Sequence, residues 1–90
     1  MTNMINKEKN ITQIVMDAAF ETSNADKKDI GLSTRLVEDL EMDSLELIEF
    51  AIELEIQLHK NKVSTDIEFG LEDLQGKQLS EIVDFISDRI

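Results

Sequence analysis

The chain has no cysteine, proline, tryptophan or tyrosine, and only three glycines in 90 residues. Without Cys, no disulfide, iron–sulfur cluster or thiolate metal site can form. Without Pro, and with Gly only at positions 31, 70 and 76, the residues that punctuate a strand-and-turn fold are missing, which favours helices. Positive charge is also scarce: nine Lys and Arg stand against twenty Asp and Glu, a formal net charge of −11. Nucleic acids and anionic membranes are polyanions, so this surface repels both; its natural partners are basic. Long apolar runs are missing too, so no membrane-spanning segment or secretory signal is expected, and Met1–Asn10 hold only scattered apolar residues. Asn10-Ile11-Thr12 fits a glycosylation acceptor, but without a signal peptide it reads as coincidence. A cytoplasmic location is the expectation.

What is present suffices for one core. Hydrophobic residues make up 41%, too many for an acidic disordered tail. One domain over residues 1–90 is expected. A chain of this size buries about 60–65% of its unfolded surface, so the core is thin.

Periodicity predicts an all-α fold. Ile11, Ile14, Val15 and Ala18 follow i, i+3, i+4, i+7 and predict an amphipathic helix over about Lys7–Glu21. A polar stretch from Thr22 opens a long loop running to about Asp43, held to the core by Ile30, Leu32, Leu36, Val37 and Leu40. Loops of that length are often functional. Asp43 is a good N-cap, and Glu46 three residues on completes a capping-box-like pattern. From there to about Lys60, Leu47, Phe50, Ala51, Leu54 and Leu58 make an inward stripe, with Leu45, Ile48 and Ile52 to its side. After a loop over Asn61–Asp66, a short helix is expected within Ile67–Gln75, carrying Leu71 and Leu74. Leu79, Ile82, Val83, Ile86 and Ile90 then predict a last amphipathic helix. The expected architecture is a small four-helix bundle, three longer helices and one short, with a long loop between the first and second.

Catalytic machinery is hard to find. The only imidazole, His59, has no Cys partner and sits at the polar end of a helix, where a solvated residue is commoner than a general base. A bundle this small lacks room for a deep pocket, so no intrinsic enzyme activity is expected. Calcium ligation fails on spacing. With Gly31 at the sixth position of an EF-hand loop, Ile30 and Val37 fall where acidic ligands belong. A start at Asp39 supplies Asp39, Glu41 and Asp43 but puts Phe50 at the bidentate Glu position. A solvated acidic turn is the reading, with no metal.

The distribution of charge is more informative than its sum. Between Arg35 and Lys60 there is no Lys or Arg, while eight acids lie there: Glu38, Asp39, Glu41, Asp43, Glu46, Glu49, Glu53 and Glu55. A purely structural helix usually intersperses Lys at i+4 to gain a few tenths of a kcal/mol per pair. Exposed Ile48 and Ile52 among these acids favour a docking surface, apolar contacts framed by steering charge.

At the head of that helix stands Asp43-Ser44-Leu45. Ser44 falls at the first helical position, where a hydroxyl projects to solvent beside free N–H groups and the positive end of the helix dipole. No base is near enough in sequence to activate it, so any modification must come from another enzyme. A short motif alone carries a high false-positive rate. Taken with Asp39-Leu40 before it, Glu46 and Glu49 after it and Asp84-Phe85-Ile86 in the last helix, the chain from about Lys7 to Ile90 resembles the acyl carrier protein family.

The resemblance implies a four-helix bundle with 4′-phosphopantetheine on Ser44, installed from coenzyme A by a phosphopantetheinyl transferase. Asp43 and Leu45 would flank the site as transferase contacts. Glu46, Ile48, Glu49, Ile52, Glu53 and Glu55 would meet basic patches on acyl-transferring and chain-elongating enzymes. Strong like charge favours a monomer. A peptidyl or aminoacyl carrier on the same arm is the nearest alternative, and an unmodified acidic adaptor the alternative from another class. Two departures stand out. Glu41 occupies the place where the family very often has Gly, which implies an altered turn and a changed choice of partner. The frequent Pro near Val63–Asp66 is missing, in a slightly longer loop. Both point to a specialised relative rather than the housekeeping fatty-acid carrier.

Overall fold

The structure is a computed structural model and describes residues 7–61, 63 and 67–89, with backbone only for 7–10. The expected loop over Asn61–Asp66 lies largely outside the described residues, as does Ile90. Among the described residues there are three α-helices: α1 (Lys7–Thr22), α2 (Ser44–Lys60) and α3 (Leu79–Ser87). The only strand-like feature among the described residues is an isolated bridge between Arg35 and Gln78. The Cα radius of gyration, 12.3 Å, is what a compact chain of this length should have, about 12 Å.

The fold is all-α, as the periodicity predicts, with boundaries within a residue or two for α1 and α2. The core comes from one face of each helix. From α1 it takes Ile11, Ile14, Val15, Ala18 and Ala19; from α2, Leu47, Phe50, Ala51, Leu54 and Leu58; from α3, Leu79, Ile82, Val83 and Ile86. The central helix is α1, which packs against both α2 and α3, whereas those two make little direct contact.

No short α-helix forms within 67–75. There the chain makes one 3-10 turn, Leu71–Asp73. Within the turn itself, Leu71 packs against the core and Leu74 is buried in it, at i, i+3. A 3-10 turn, with three residues per turn, aligns that spacing directly. The Asp73 carboxylate accepts from the Gly70 N–H at 2.9 Å, and Gly76, at φ 72°, ends the turn in the left-handed region that glycine tolerates.

The chain between α1 and α2 is a strap pinned at intervals. It holds a 3-10 turn at Lys27–Asp29, and Ile30, Leu36 and Met42 are buried in the core. Two of the expected apolar anchors, Leu32 and Val37, are instead exposed. Backbone bonds do their work. The Thr34 carbonyl accepts from Leu79 N–H and the Leu32 carbonyl from Ser80 N–H, each at 2.9 Å, so the strap satisfies donors that the start of α3 would otherwise leave orphaned. Arg35 adds a side-chain bond from its guanidinium to the Gly76 carbonyl at 2.9 Å.

The strap then turns into α2. The Asp39 carboxylate accepts from the Arg35 N–H at 2.8 Å, and the Leu36 carbonyl accepts from the Met42 N–H at 3.1 Å. Glu41, between these fixed points, is at φ 57°. That is the left-handed region, which glycine adopts freely and which Glu bears here. That conformation costs a non-glycine residue roughly 1–2 kcal/mol. Glu41→Gly should relieve it, less about 0.5–1 kcal/mol of extra unfolded-state entropy, and so stabilise the protein by up to about 1.5 kcal/mol. Urea denaturation measures this, and a midpoint that falls would show that Glu41 bears less strain than this conformation ordinarily costs.

Candidate functional site

The junction of strap and α2 is tightly built. Asp43 is the N-cap of α2 with extended backbone. Its Oδ1 accepts from the Glu46 N–H at 2.9 Å, while Glu46 Oε1 accepts from the Asp43 N–H at 3.1 Å. The sequence pattern had predicted this reciprocal box. Asp is a strong N-cap because its carboxylate satisfies an orphan donor and complements the helix dipole. Buried Met42 on one side and Leu47 on the other anchor the box to the core.

Ser44, the first residue of α2, is exposed. Its hydroxyl has no hydrogen-bond partner among the described residues, and neither do the N–H groups of Ser44 and Leu45. Free donors at a helix start suit a negatively charged group. Leu45 beside it is 64% exposed, the most exposed large hydrophobic residue among those described. No His lies near Ser44 in sequence, and the only one, His59, is an exposed residue in the last turn of α2.

The rest of α2 departs from the sequence reading in one respect. At about 100° per residue, Leu45, Ile48, Ile52 and Ile56 fall within an arc of roughly 80° on the side opposite the core stripe. They are 64%, 45%, 52% and 48% exposed respectively. The helix has two apolar faces, not one wide one. Ile56, the fourth member, was not singled out from sequence, although i+4 from Ile52 was the signal that would have found it.

The acids take different roles. Glu49 and Glu55 are exposed on opposite flanks of the outer stripe, with no hydrogen bond or ion pair among the described residues. Glu53 is half-buried and accepts from Gln57 Nε2 at 2.8 Å. Glu46 is committed to the cap. Among the described residues no group of three or more His, Cys, Asp or Glu is placed to hold a metal, and the Asp39 carboxylate is turned to backbone. No described helix is long and apolar enough to cross a membrane.

Glu49 and Glu53 are i, i+4 neighbours of like charge, an arrangement that costs roughly 0.2–0.5 kcal/mol per pair. With a formal net charge of −11, the whole molecule repels itself. Added NaCl should therefore raise the melting temperature by several degrees, on the scale of about 4–8 °C per kcal/mol for a domain of this size. A calorimetric scan showing no salt response would sink that account.

The chain matches no protein-family model, and a search of curated proteins gives no match. The functional reading rests on the residues and the geometry above.

Proposed function

We propose that this protein is an acyl carrier, bearing 4′-phosphopantetheine on Ser44. The observation that supports it is the conjunction at one helix start: a free, exposed serine hydroxyl, unpaired N–H groups beside it and a capping box that fixes the backbone. In the loading step the Ser44 oxygen forms a new bond to phosphorus. The pyrophosphate linkage of coenzyme A breaks, 3′,5′-ADP leaves, and the hydroxyl proton passes to a base on the transferase. The phosphodiester then lies against the positive end of α2. The thiol of the arm would hold an acyl group as a thioester. Delivery by the carrier turns each enzyme encounter into a reaction at high effective concentration. Under this reading the bundle is four-helical in plan, with the Leu71–Asp73 turn standing where the short helix would be, and the protein works in the cytoplasm as a monomer.

In the same reading, α2 is the face that enzymes meet. Glu49 and Glu55 are positioned to steer basic patches, which raises association rate more than affinity. The sparse contact between α2 and α3 makes that seam the natural place for the core to part around an acyl chain. Unchanged NMR shifts of Leu54, Ile82 and Ile86 on acylation would rule sheltering out. A peptidyl or aminoacyl carrier would use the same arm, and the acidity of α2 favours acyl cargo. The second apolar face of α2 by itself would also serve an unmodified adaptor for a basic partner.

Intact-protein mass spectrometry after incubation with coenzyme A, Mg²⁺ and a broad-specificity phosphopantetheinyl transferase tests the reading. Addition of one phosphopantetheine supports a carrier. A folded protein that takes none, beside a carrier that does, puts the adaptor first.

A further inference from the structure

A cleft unrelated to Ser44 lies where the start of the strap meets α1. The core stripe of α1 uses Ile11, Ile14, Val15 and Ala18. Gln13, Met16, Asp17 and Phe20 recur at i, i+3, i+4 and i+7 on a neighbouring face. There Gln13, Met16 and Asp17 enclose about 160 Å³ together with Lys27 and Ile30 of the strap.

Both walls are fixed by bonds of their own. In the strap, the Ile30 N–H donates to the Lys27 carbonyl at 3.2 Å, and the Ile30 side chain is buried. On the helix, Gln13 Nε2 donates to Asp17 Oδ1 at 2.9 Å, while Asp17 Oδ2 has no partner among the described residues. Lys27 holds its ammonium 5.4 Å from the centre of the Phe20 ring and makes no ion pair among the described residues. The cleft therefore combines apolar Met16 and Ile30 with a cation on the strap wall and a carboxylate on the helix wall.

We propose that this cleft binds a free α-amino acid with an aliphatic side chain. The ligand carboxylate meets Lys27, its ammonium meets Asp17 Oδ2, and its side chain lies against Met16 and Ile30. Two unpaired charges of opposite sign face one space, and a ligand carrying both signs satisfies them together. Charge excludes the simpler alternatives. A net charge of −11 repels an anion and Lys27 repels an amine, whereas a zwitterion carries no net charge. Size agrees. A cavity of about 150 Å³ accepts a molecule as large as benzene, and drug-sized ligands need roughly 300 Å³ or more. None of these residues belongs to α2 or its cap, so the proposal does not rest on the carrier reading. Occupancy would tie the Lys27–Asp29 turn to α1 and so steady the start of the strap.

The test titrates L-leucine into ¹⁵N-labelled protein and follows amide NMR shifts. Shifts should centre on residues 13–17 and 27–30 and saturate with a Kd on the order of 1 mM, as suits a small ligand in a shallow site. Three analogues each remove one element of recognition. 4-Methylpentanoate lacks the ammonium, 3-methylbutylamine lacks the carboxylate, and glycine lacks the side chain; each should bind about tenfold more weakly. Two variants then assign the charges. Lys27→Gln should weaken leucine about tenfold and leave 3-methylbutylamine no weaker than before. Asp17→Asn should do the same to leucine and leave 4-methylpentanoate no weaker. The analogues probe the parent protein, so the result stands whatever the variants do to folding. No saturating shift well above that concentration, shifts centred elsewhere, or an analogue that binds as well as leucine would each overturn the proposal. So would variants that weaken all the ligands alike.

Discussion

Ser44→Ala is expected to abolish all gain of phosphopantetheine while leaving the fold intact. The hydroxyl is exposed and makes no hydrogen bond among the described residues, so its removal should change stability by no more than about 0.5 kcal/mol. Loss of mass gain from a protein with an unchanged urea midpoint would locate the modification at one oxygen. Mass gain that persists in Ser44→Ala would remove this residue from the reading altogether. Asp43→Asn is the companion. Asn caps helices about as well as Asp, so the box should survive while the charge is lost. Slower loading with unchanged stability would assign the Asp43 charge to recognition by the transferase; normal loading would leave Asp43 with the cap alone.

The second large effect separates the two faces of α2. Phe50→Ala should cost about 3–5 kcal/mol, because a fully buried ring leaves a cavity that a thin core closes poorly. That is a large share of the roughly 5–15 kcal/mol that holds a small domain together. The urea midpoint should fall by more than about 1 M. Ile52→Ala, two residues on, removes a comparably apolar side chain that is 52% exposed and should shift stability by no more than about 0.5 kcal/mol. Equal losses at Phe50 and Ile52 would contradict the two-faced description of this helix.

The two apolar rows of α2 differ in their surroundings. The inner row is buried in the core, while the outer row exposes apolar surface beside carboxylates with no ion-pair partner among the described residues.

Much of this was legible in the sequence, because it depends on near neighbours. The stripe Leu47, Phe50, Ala51, Leu54, Leu58 is set by a period of 3.6 residues, and every member is buried. The box between Asp43 and Glu46 spans three residues and needs nothing beyond them, so the start of α2 and the position of Ser44 on it could be stated from the residues alone.

Only the tertiary structure decided what depends on distant partners. Leu32 and Val37 look like anchors by composition, but the strap is held through backbone bonds to Leu79 and Ser80, donors far along the chain whose need for acceptors no local pattern reports. The segment around Leu71 became a 3-10 turn because its two leucines had to face one core already formed by three helices. That no other described element covers Ile48 and Ile52, which stay about half exposed, was decided by where the rest of the chain packs. And Glu41 stands in the left-handed region because buried Leu36 and Met42 fix the chain on either side of it, a constraint of packing that overrides the preference of the residue itself.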